Sequence, residues 1–297
     1  MSEQAFHSGF TAIVGSPNVG KSTLINRLVG EKISIVSNKP QTTRSRLMGV
    51  MNRENVQIVL VDTPGVNRAR TKLGEYMESS VSEALKGIDA MMVVLDASHI
   101  TDRDRRLAEE FSQKKGYKVL VYNKLDLIDP QKLLEVMASF SQLPYDAYLP
   151  ISAATGEGVP ALEKELSAHM PEGPRYFPED MVTDQPEQVL CAELIREKAL
   201  LYLREEVPHG IGVEILRFEK QKNATEIDAT LYCEKDSHKR IIIGKGGQTL
   251  RRIGQEARED IEQLFGYHIY LQLWVKVRPG WRNSAEDLKT LGYTMEK

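Results

Sequence analysis

A glycine-containing segment, GSPNVGKS, has the clearest capacity for chemistry in this sequence. It follows a short apolar run, FTAIV, and precedes a stretch of helical periodicity that begins TLINRL. Between a strand and a helix, glycines let the backbone turn so that successive N–H groups point at phosphate oxygens, and the helix N-terminus adds favourable dipole charge. The segment predicts a phosphate-binding loop made of Gly15, Ser16, Pro17, Asn18, Val19, Gly20, Lys21 and Ser22.

Two further segments predict a magnesium site beside this loop. DTPG follows a second apolar run, so Asp62 is expected at the carboxyl end of a strand, where it can reach Mg²⁺, and the Gly65 amide can sense a γ phosphate. In the polar segment before it, Thr43 of a threonine pair can close over the metal only when that phosphate is present. The predicted catalytic residues are Lys21, Thr43 and Gly65. The predicted metal ligands are Ser22, Thr43 and Asp62. Further nucleotide contacts are predicted from Thr63, Pro64 and Val66.

The base is predicted from NKLD, which follows the apolar run KVLVY. A carboxylate at Asp126 can accept hydrogen bonds from N1–H and the exocyclic amine of guanine, and adenine offers no such pair of donors. After another apolar run comes SAATGEG, in which the Ala153 amide is predicted to face guanine O6. The nucleotide is therefore predicted to be GTP or GDP, with base contacts from Asn123, Lys124, Leu125, Asp126, Ser152, Ala153 and Ala154.

The residue after Gly65 bears on how hydrolysis would proceed. It is Val66, at a position where some GTPases carry a glutamine that orients the attacking water. Slow unassisted turnover is therefore expected, with help from RNA, a ribosomal partner or a monovalent cation. Asn18 is a candidate K⁺ ligand, and the alternative, that it only shapes the loop, is equally open.

The C-terminal part contains a second glycine turn, in RIIIGKGGQTLRRIGQ. A turn poor in side chains lets a phosphodiester backbone approach closely, and the helix predicted after it buries an apolar stripe. Basic residues surround the turn, with Asp236 as the one acid between positions 235 and 252. We predict a site for single-stranded RNA formed by Lys239, Arg240, Ile243, Gly244, Lys245, Gly246, Gly247, Arg251 and Arg252.

Composition restricts the alternatives. Of 297 residues, 39 are lysine or arginine and 42 are aspartate or glutamate, so the net charge of -3 argues against a protein that coats nucleic acid through bulk positive charge. Cys191 and Cys233 lie in apolar segments and are expected to be reduced core thiols. Neither a leader nor an apolar run long enough to span a bilayer is seen, so a cytoplasmic protein is expected.

The elements that position these motifs follow from the apolar runs. Runs at 10–14, 56–61, 90–95, 118–122 and 147–151 alternate with helical stretches, which predicts an α/β P-loop GTPase domain, a mostly parallel sheet with helices on both faces, over 1–172. A proline-rich linker is predicted over 173–186. A smaller α+β domain over 187–297 is predicted to order helix, two strands, glycine turn, helix and strand, with Trp281 in a tail packed on it.

Taken together, these residues resemble the Era family of bacterial GTPases over essentially the whole chain. The matching segments are GSPNVGKS, PQTTRSR, DTPGV, NKLD, SAATG, FPEDMVTDQP, IREK, IIIGKGG and LQLWVKVRPGW. The resemblance implies that the second domain is a type II KH domain that binds 16S ribosomal RNA near its 3′ end. It also implies a role in maturation of the 30S subunit, peripheral association with the membrane, and a monomer.

The resemblance also implies site residues, with one departure. It places nucleotide contacts at 15–22, 62–66 and 123–126, and an effector loop at 41–45. The family often has histidine near position 45, where this chain has Ser45, so a role of that histidine does not transfer. Two alternatives remain: a passive RNA-binding protein with a structural nucleotide, and a tRNA-modification GTPase, which would need a further catalytic domain.

Overall fold

The computed structural model describes residues 5–37, 39, 42–65, 71–203 and 207–293. The chain forms two compact units, which are described separately. The first comprises 1–34, 43–67 and 78–184, and the second comprises 35–42, 68–77 and 185–297. Two segments of the N-terminal half thus group with the C-terminal part, which a division at the proline-rich linker alone would not predict.

A six-stranded sheet forms the centre of the first unit, in the order β2-β3-β1-β4-β5-β6. Its strands are β1 His7–Val14, β2 Leu47–Asn52, β3 Val56–Asp62, β4 Ala90–Asp96, β5 Tyr117–Asn123 and β6 Ala147–Pro150. The helices of the N-terminal half are α1 Lys21–Val29, α2 Lys72–Ala84, α3 Asp102–Ser112, α4 Pro130–Phe140 and α5 Val159–Ala168. β1 pairs in parallel with β3 and β4, and β5 pairs in parallel with β4 and β6. The predicted mostly parallel sheet is confirmed.

The sheet brings the predicted motifs to one edge. In β3 every residue from Val56 to Asp62 is buried, and β4 is buried from Ala90 to Leu95, as expected for strands covered on both faces. Because β1, β3 and β5 run parallel, their carboxyl ends lie together. The segments that follow them are the phosphate loop, DTPG and NKLD.

One strand was not predicted. β2, Leu47–Asn52, pairs antiparallel with β3, with Val50 opposite Val59. Its residues, LMGVMN, come directly after the polar PQTTRSR, and no strand was predicted for them. A short edge strand carries too few residues for its periodicity to be recognised.

The second unit contains a three-stranded sheet in the order β7-β8-β9. Its elements are α6 Glu187–Tyr202, β7 Gly212–Lys220, β8 Thr225–Cys233, α7 Asp236–Ile243, α8 Gln248–Phe265, β9 Ile269–Val277 and α9 Ala285–Thr290. β8 is antiparallel to β7 and parallel to β9. The predicted α+β order is confirmed, and the predicted strand or short helix before the glycine turn is a helix.

The main core of this unit contains residues of α6, α8 and the sheet, and a smaller cluster forms around Trp281. The predicted stripe of α8 is buried at Ile253, Ala257 and Ile261, and these pack with apolar residues of α6 and β8. Trp281 is fully buried, and its Nε1 donates to the Gly210 carbonyl at 2.9 Å, which confirms that it packs rather than stacks on bases. Among the described residues, no helix is long and apolar enough to cross a membrane.

Candidate nucleotide site and nucleic-acid interface

The phosphate loop connects β1 to α1 in a tightly constrained conformation. Gly20 has φ 98°, and a Cβ there would lie 2.2 Å from Nδ2 of Asn123. Asn18 also has a positive φ, 65°, a conformation that asparagine tolerates better than most residues. Glycine at position 20 is therefore required, and Asn18 has a shaping role that does not depend on an ion.

Lys21 lies at the floor of this loop. Its Nζ donates to the carbonyl oxygens of Gly15 at 3.0 Å and Ser16 at 2.9 Å. An ammonium has three N–H donors, so one remains for an anionic ligand. Burial lowers the pKa of Lys21 to about 8, and nearby Asp62 opposes this shift. A phosphate would add negative charge and favour the charged ammonium further.

The predicted metal ligands lie together. The hydroxyl of Ser22 is 3.1 Å from that of Thr43, and the Thr43 hydroxyl donates to Oδ2 of Asp62 at 3.3 Å. Ser34, which the sequence analysis missed, donates to the same oxygen at 3.2 Å. Two hydroxyls and a carboxylate are hard oxygen ligands of the kind that Mg²⁺ prefers.

Asp62 has features that fit a metal. Its side chain is fully buried, and its Oδ1 has no hydrogen-bond partner among the described residues. Burial raises the pKa of Asp62 to about 6, while Lys21 and the hydroxyls of Ser34 and Thr43 act in the opposite direction. A cation near Oδ1 would satisfy this oxygen and stabilise the ionised form.

DTPG follows β3 and lies against the phosphate loop. The Thr63 hydroxyl donates to the Ile13 carbonyl at 2.8 Å, which ties the segment to β1. A Cβ at Gly65 would lie 3.0 Å from the Pro17 backbone nitrogen, so glycine allows this close approach. The predicted contact at Val66 lies outside the described residues, as does Gln41 of the predicted effector loop.

Asn123 connects the base-reading and phosphate-binding segments. Its Nδ2 donates to the Val19 carbonyl at 2.8 Å, and its Oδ1 accepts from the Ala153 amide at 2.9 Å. The Ala153 N–H, predicted to face guanine O6, donates to Asn123 in this structure, and its contact with guanine stays a prediction. A contact with guanine O6 would require this hydrogen bond to be shared.

Asp126 is exposed at the mouth of the site, as expected for a residue that accepts from a base. The Ser152 hydroxyl donates to its Oδ1 at 2.5 Å and so orients the carboxylate. The amide of Leu125 donates to the Ile151 carbonyl at 3.1 Å, and Lys124, with φ 68°, forms an ion pair with Asp96 at 2.6 Å. These contacts fix the loop on which Asp126 stands.

Two positioning residues were missed by the sequence analysis. Arg27 of α1 donates from Nε to the Ala153 carbonyl at 3.2 Å and from its other end to the Ala154 carbonyl. Buried Asp104 of α3 accepts from the Ser16 hydroxyl at 2.5 Å. A capping pattern from Thr101 to Asp104 indicates where α3 begins, but nothing in it indicates a contact with the phosphate loop.

In the second unit, two buried charged residues of α6 contact the backbone at Val36 and at Thr42. Oε1 of Glu197 accepts from the Val36 amide at 2.9 Å, and Arg196 donates to the Thr42 carbonyl. Arg196 also forms an ion pair with Glu193 at 2.5 Å. The segment that ends at Thr42, directly before the candidate metal ligand Thr43, is thereby fixed by side chains from α6.

The glycine turn between α7 and α8 has the open backbone expected of a nucleic-acid contact. Gly244, Gly246 and Gly247 all have positive φ, and a Cβ on Gly246 or Gly247 would meet nothing within 4 Å. Gly244 is different, because a Cβ there would lie 2.2 Å from Oγ1 of Thr249. The first glycine therefore shapes the turn, and the other two leave the backbone accessible.

The basic side chains around the turn are not equivalent. Arg240, Lys245 and Arg251 are exposed, and Lys239 is half-buried. Arg252 is held in a local network, because its guanidinium lies 4.5 Å from the Tyr202 ring centroid and its Nε lies 3.1 Å from Glu256. Arg252 is exposed as well, but these two contacts make it a weaker candidate for an RNA contact than its neighbours.

The three isoleucines before the turn also differ in their exposure. Ile242 is fully buried in the core, so it cannot form a groove wall, contrary to the expectation for the whole triplet at 241–243. Ile241 is 50% exposed, and Ile243 is half-buried against the core. A helical period explains the split, since neighbouring residues on a helix point in different directions.

Comparisons with known proteins agree with both sites. Residues 10–124 match the family described as 50S ribosome-binding GTPase, and residues 206–282 match the KH domain family. GTPase Era of Ruminiclostridium cellulolyticum is 49% identical over 296 residues, which cover 99% of each chain. GTPase Era of Alkaliphilus metalliredigens is 46% identical over 97% of this chain and 99% of its own length.

Two solved structures are similar over almost the whole chain. A single-residue variant of Aquifex aeolicus Era bound to GDP.AlF4- has a TM-score of 0.93 and 38% identity, and covers 98% of this chain and 100% of its own. Era in complex with MgGDPNP and nucleotides 1506-1542 of 16S ribosomal RNA has a TM-score of 0.92, with the same identity and coverage.

Proposed function

The chain belongs to the Era family of GTPases, and we propose that it couples hydrolysis of GTP to binding of the 3′ region of 16S ribosomal RNA during assembly of the 30S subunit. The observation that supports this most directly is the presence, in one chain, of a built nucleotide site and an open glycine turn among exposed cations. The solved relative in complex with MgGDPNP and 16S RNA combines the same two ligands.

In the proposed reaction, the backbone amides of 15–22 and Lys21 bind the β and γ phosphates. Mg²⁺, when bound, would supply positive charge that offsets the negative charge developing on the phosphates. Ser22, Thr43 and Asp62 would hold it, since their oxygens lie together and Oδ1 of Asp62 lacks a protein partner among the described residues. The Gly65 amide, next to the phosphate loop, would donate to the γ phosphate. We propose that these residues bind and orient GTP and that water activation is assisted from outside the chain.

Selection of guanine is assigned to Asp126. Its carboxylate is exposed to a ligand and is already oriented by Ser152. Asn123 stabilises the loops on both sides, and the phosphate and base segments therefore act as one preorganised site. An adenine nucleotide would leave the Asp126 carboxylate without hydrogen-bond donors, so the site would reject ATP.

RNA binding is assigned to the glycine turn and its exposed cations. The backbone N–H groups of Gly246 and Gly247 and the ammonium of Lys245 would contact phosphates, and Ile241 would contact an unstacked base. Coupling to the nucleotide would use the segment 35–42, because Arg196 and Glu197 hold its backbone up to the residue before Thr43. When a γ phosphate orders Thr43, that segment and its α6 partners would shift together.

Phosphate release under steady-state conditions tests the proposal. Turnover is expected to be slow alone and faster with an RNA oligonucleotide equivalent to nucleotides 1506-1542. Lys21→Ala should abolish nucleotide binding and leave RNA binding intact, whereas Gly246→Asp should repel the RNA backbone and leave GTP binding intact. No turnover with or without RNA would favour the alternative, a passive RNA-binding protein with a structural nucleotide.

The choice of activator needs a separate experiment. Turnover is measured in KCl and in NaCl at equal ionic strength, with and without the RNA oligonucleotide. A higher rate in KCl would support Asn18 as a K⁺ ligand, and equal rates would leave Asn18 only its shaping role.

Family membership also leads us to propose that the chain acts as a monomer in the cytoplasm and associates peripherally with the membrane. Analytical ultracentrifugation and cell fractionation test these points. A stable dimer at micromolar concentration would contradict the first.

A further inference from the structure

One face of the sheet in the second unit is open. The apolar residues of β8 pack with α8 on the opposite face, where Ile227, Ala229 and Leu231 are fully buried. On the open face, β9 presents Tyr270 and Trp274, which are 70% and 56% exposed. Exposed aromatic side chains on a regular sheet are uncommon without a binding role.

Carboxylates surround these two rings. The strand register places Glu226 beside Tyr270 and Asp228 beside Gln272, and the same face continues on β7 with Glu219 and Glu214. Among the described residues, the cations on the strands of this face are Arg217 and Lys276, and Arg278 lies at its end, so the four carboxylates are in excess. Arg217 is already held by Glu219 at 2.6 Å and Glu226 at 2.7 Å.

Lys276 and the C-terminal tail limit the open area at one end. Lys276 lies beyond Trp274, beside Tyr232, whose ring is covered by the guanidinium of Arg278 at 4.3 Å. Tyr232 is 4% exposed, whereas Tyr270 at the other end is the most exposed large apolar side chain among the described residues. The accessible part is therefore the half that contains Tyr270, Trp274, Glu226 and Asp228, here named the aromatic-acidic face.

This face differs in charge from the proposed RNA site. The exposed cations Arg240, Lys245 and Arg251 lie around the glycine turn and on α8. A phosphodiester chain on the aromatic-acidic face would be repelled, because the two negative charges of Glu226 and Asp228 exceed the one positive charge of Arg217 beside them. A cationic ligand would be attracted by the carboxylates and could also stack on the aromatic rings.

We propose that the aromatic-acidic face binds an extended, arginine-containing segment of a partner protein. Tyr270 and Trp274 stand four positions apart on one strand, roughly 13 Å at ~3.3 Å per residue. Arginines at the same spacing on an extended segment can each lie over a ring. The carboxylates of Glu226 and Asp228, on a strand about 4.8 Å away, can then pair with the guanidinium groups. The pairing of Arg217 with Glu219 and Glu226 shows the same chemistry within the chain.

Fluorescence anisotropy with the full chain tests this. The probe is a labelled peptide with arginine at every fourth position and serine or threonine elsewhere, and its glutamate counterpart is the negative control. Trp274→Ala and the isosteric Asp228→Asn should each weaken peptide binding about tenfold. Leu134→Ala and Glu135→Gln, matched exposed changes on α4, should leave it unchanged. All four variants should bind the RNA oligonucleotide like the unmodified chain, which also verifies that they are folded.

Two kinds of result would overturn the proposal. One is equal affinity of the arginine peptide for the unmodified chain and for Asp228→Asn, or no binding at all. The other is a loss of RNA affinity in Trp274→Ala with peptide binding unchanged, which would make the face part of the nucleic-acid surface. Neither result bears on GTP turnover, so failure here is distinguishable from failure of the proposed function.

Discussion

Replacement of Asn123 by alanine separates two roles that this residue can have. As a scaffold, it joins the Val19 carbonyl to the Ala153 amide through two buried hydrogen bonds of 2.8 and 2.9 Å. As a base contact, it would act only when guanine is bound. The two roles predict different behaviour of the nucleotide-free protein, because a scaffold stabilises the site before any ligand arrives.

The expected magnitude follows from the groups left behind. Asn123 is 1% exposed, so its removal leaves a buried carbonyl and a buried amide without partners. Each such group costs about 1–3 kcal/mol, and partial relaxation brings the expected local destabilisation to about 2–4 kcal/mol. At ~1.4 kcal/mol per factor of ten, this corresponds to a loss of roughly 30- to 1,000-fold in the protection of the Ala153 amide.

Hydrogen exchange of the nucleotide-free chain, read by mass spectrometry on peptides that contain Val19 or Ala153, measures this directly. Affinity for GDP, measured by calorimetry, should fall in parallel. Asp126→Ala is the matched control, because that carboxylate is exposed and should be needed for GDP binding but not for protection. If Asn123→Ala weakened GDP binding and left the protection of Ala153 unchanged, the scaffold role would be wrong.

Three further changes have predicted outcomes. Asp62→Asn should stabilise the nucleotide-free chain by about 1–3 kcal/mol at pH 8 and by less at pH 5, as measured by urea unfolding. The reason is that burial raises the pKa of Asp62 to about 6, and ionisation of the buried carboxyl above that pH opposes folding. Mg²⁺-dependent GTP binding should be lost in the same variant. Gly244→Ala should lower the free energy of unfolding by about 1–3 kcal/mol and Gly247→Ala by ~1 kcal/mol, because only a Cβ at position 244 meets Thr249. Unfolding can be followed by tryptophan fluorescence, since both tryptophans lie in the second unit. Cys191 should resist iodoacetamide at pH 8 until the chain is denatured, because burial raises the pKa of its thiol to about 12.

Apart from β2, the strands and the motifs were predictable because each is encoded over a short stretch of sequence. A fully buried strand such as β3 appears as a continuous apolar run, and the following Asp62 marks its end. The helix α8 begins and ends at the predicted residues, since a glycine precedes it and Gly266 follows it. What could be predicted was therefore which residues carry the chemistry and where the strands place them.

The positioning contacts could not be predicted, because they join residues far apart in the chain. Asp104 accepts from Ser16 across 88 positions, and Arg27 reaches Ala153 across 126. No local pattern distinguishes these residues from ordinary charges on a helix surface. The hydrogen bond from the Ala153 amide to Asn123 was missed for the same reason, since this distant partner cannot be recognised from the motif alone.

The charged triplet of α6 shows what such contacts cost and why they persist. Arg196, Glu197 and Lys198 are all buried, although three consecutive charges normally indicate an exposed part of a helix. Burial of an ion is unfavourable by several kcal/mol unless it is paired. Each of the three side chains has a partner: Glu193 for Arg196, the Val36 amide for Glu197, and Asp260 for Lys198 at 2.7 Å. Apolar residues would fill the same space at lower cost, so stability alone does not explain the triplet. Two of the three side chains bind the backbone at Val36 and at Thr42, directly before Thr43, and the need to position these two points accounts for their burial.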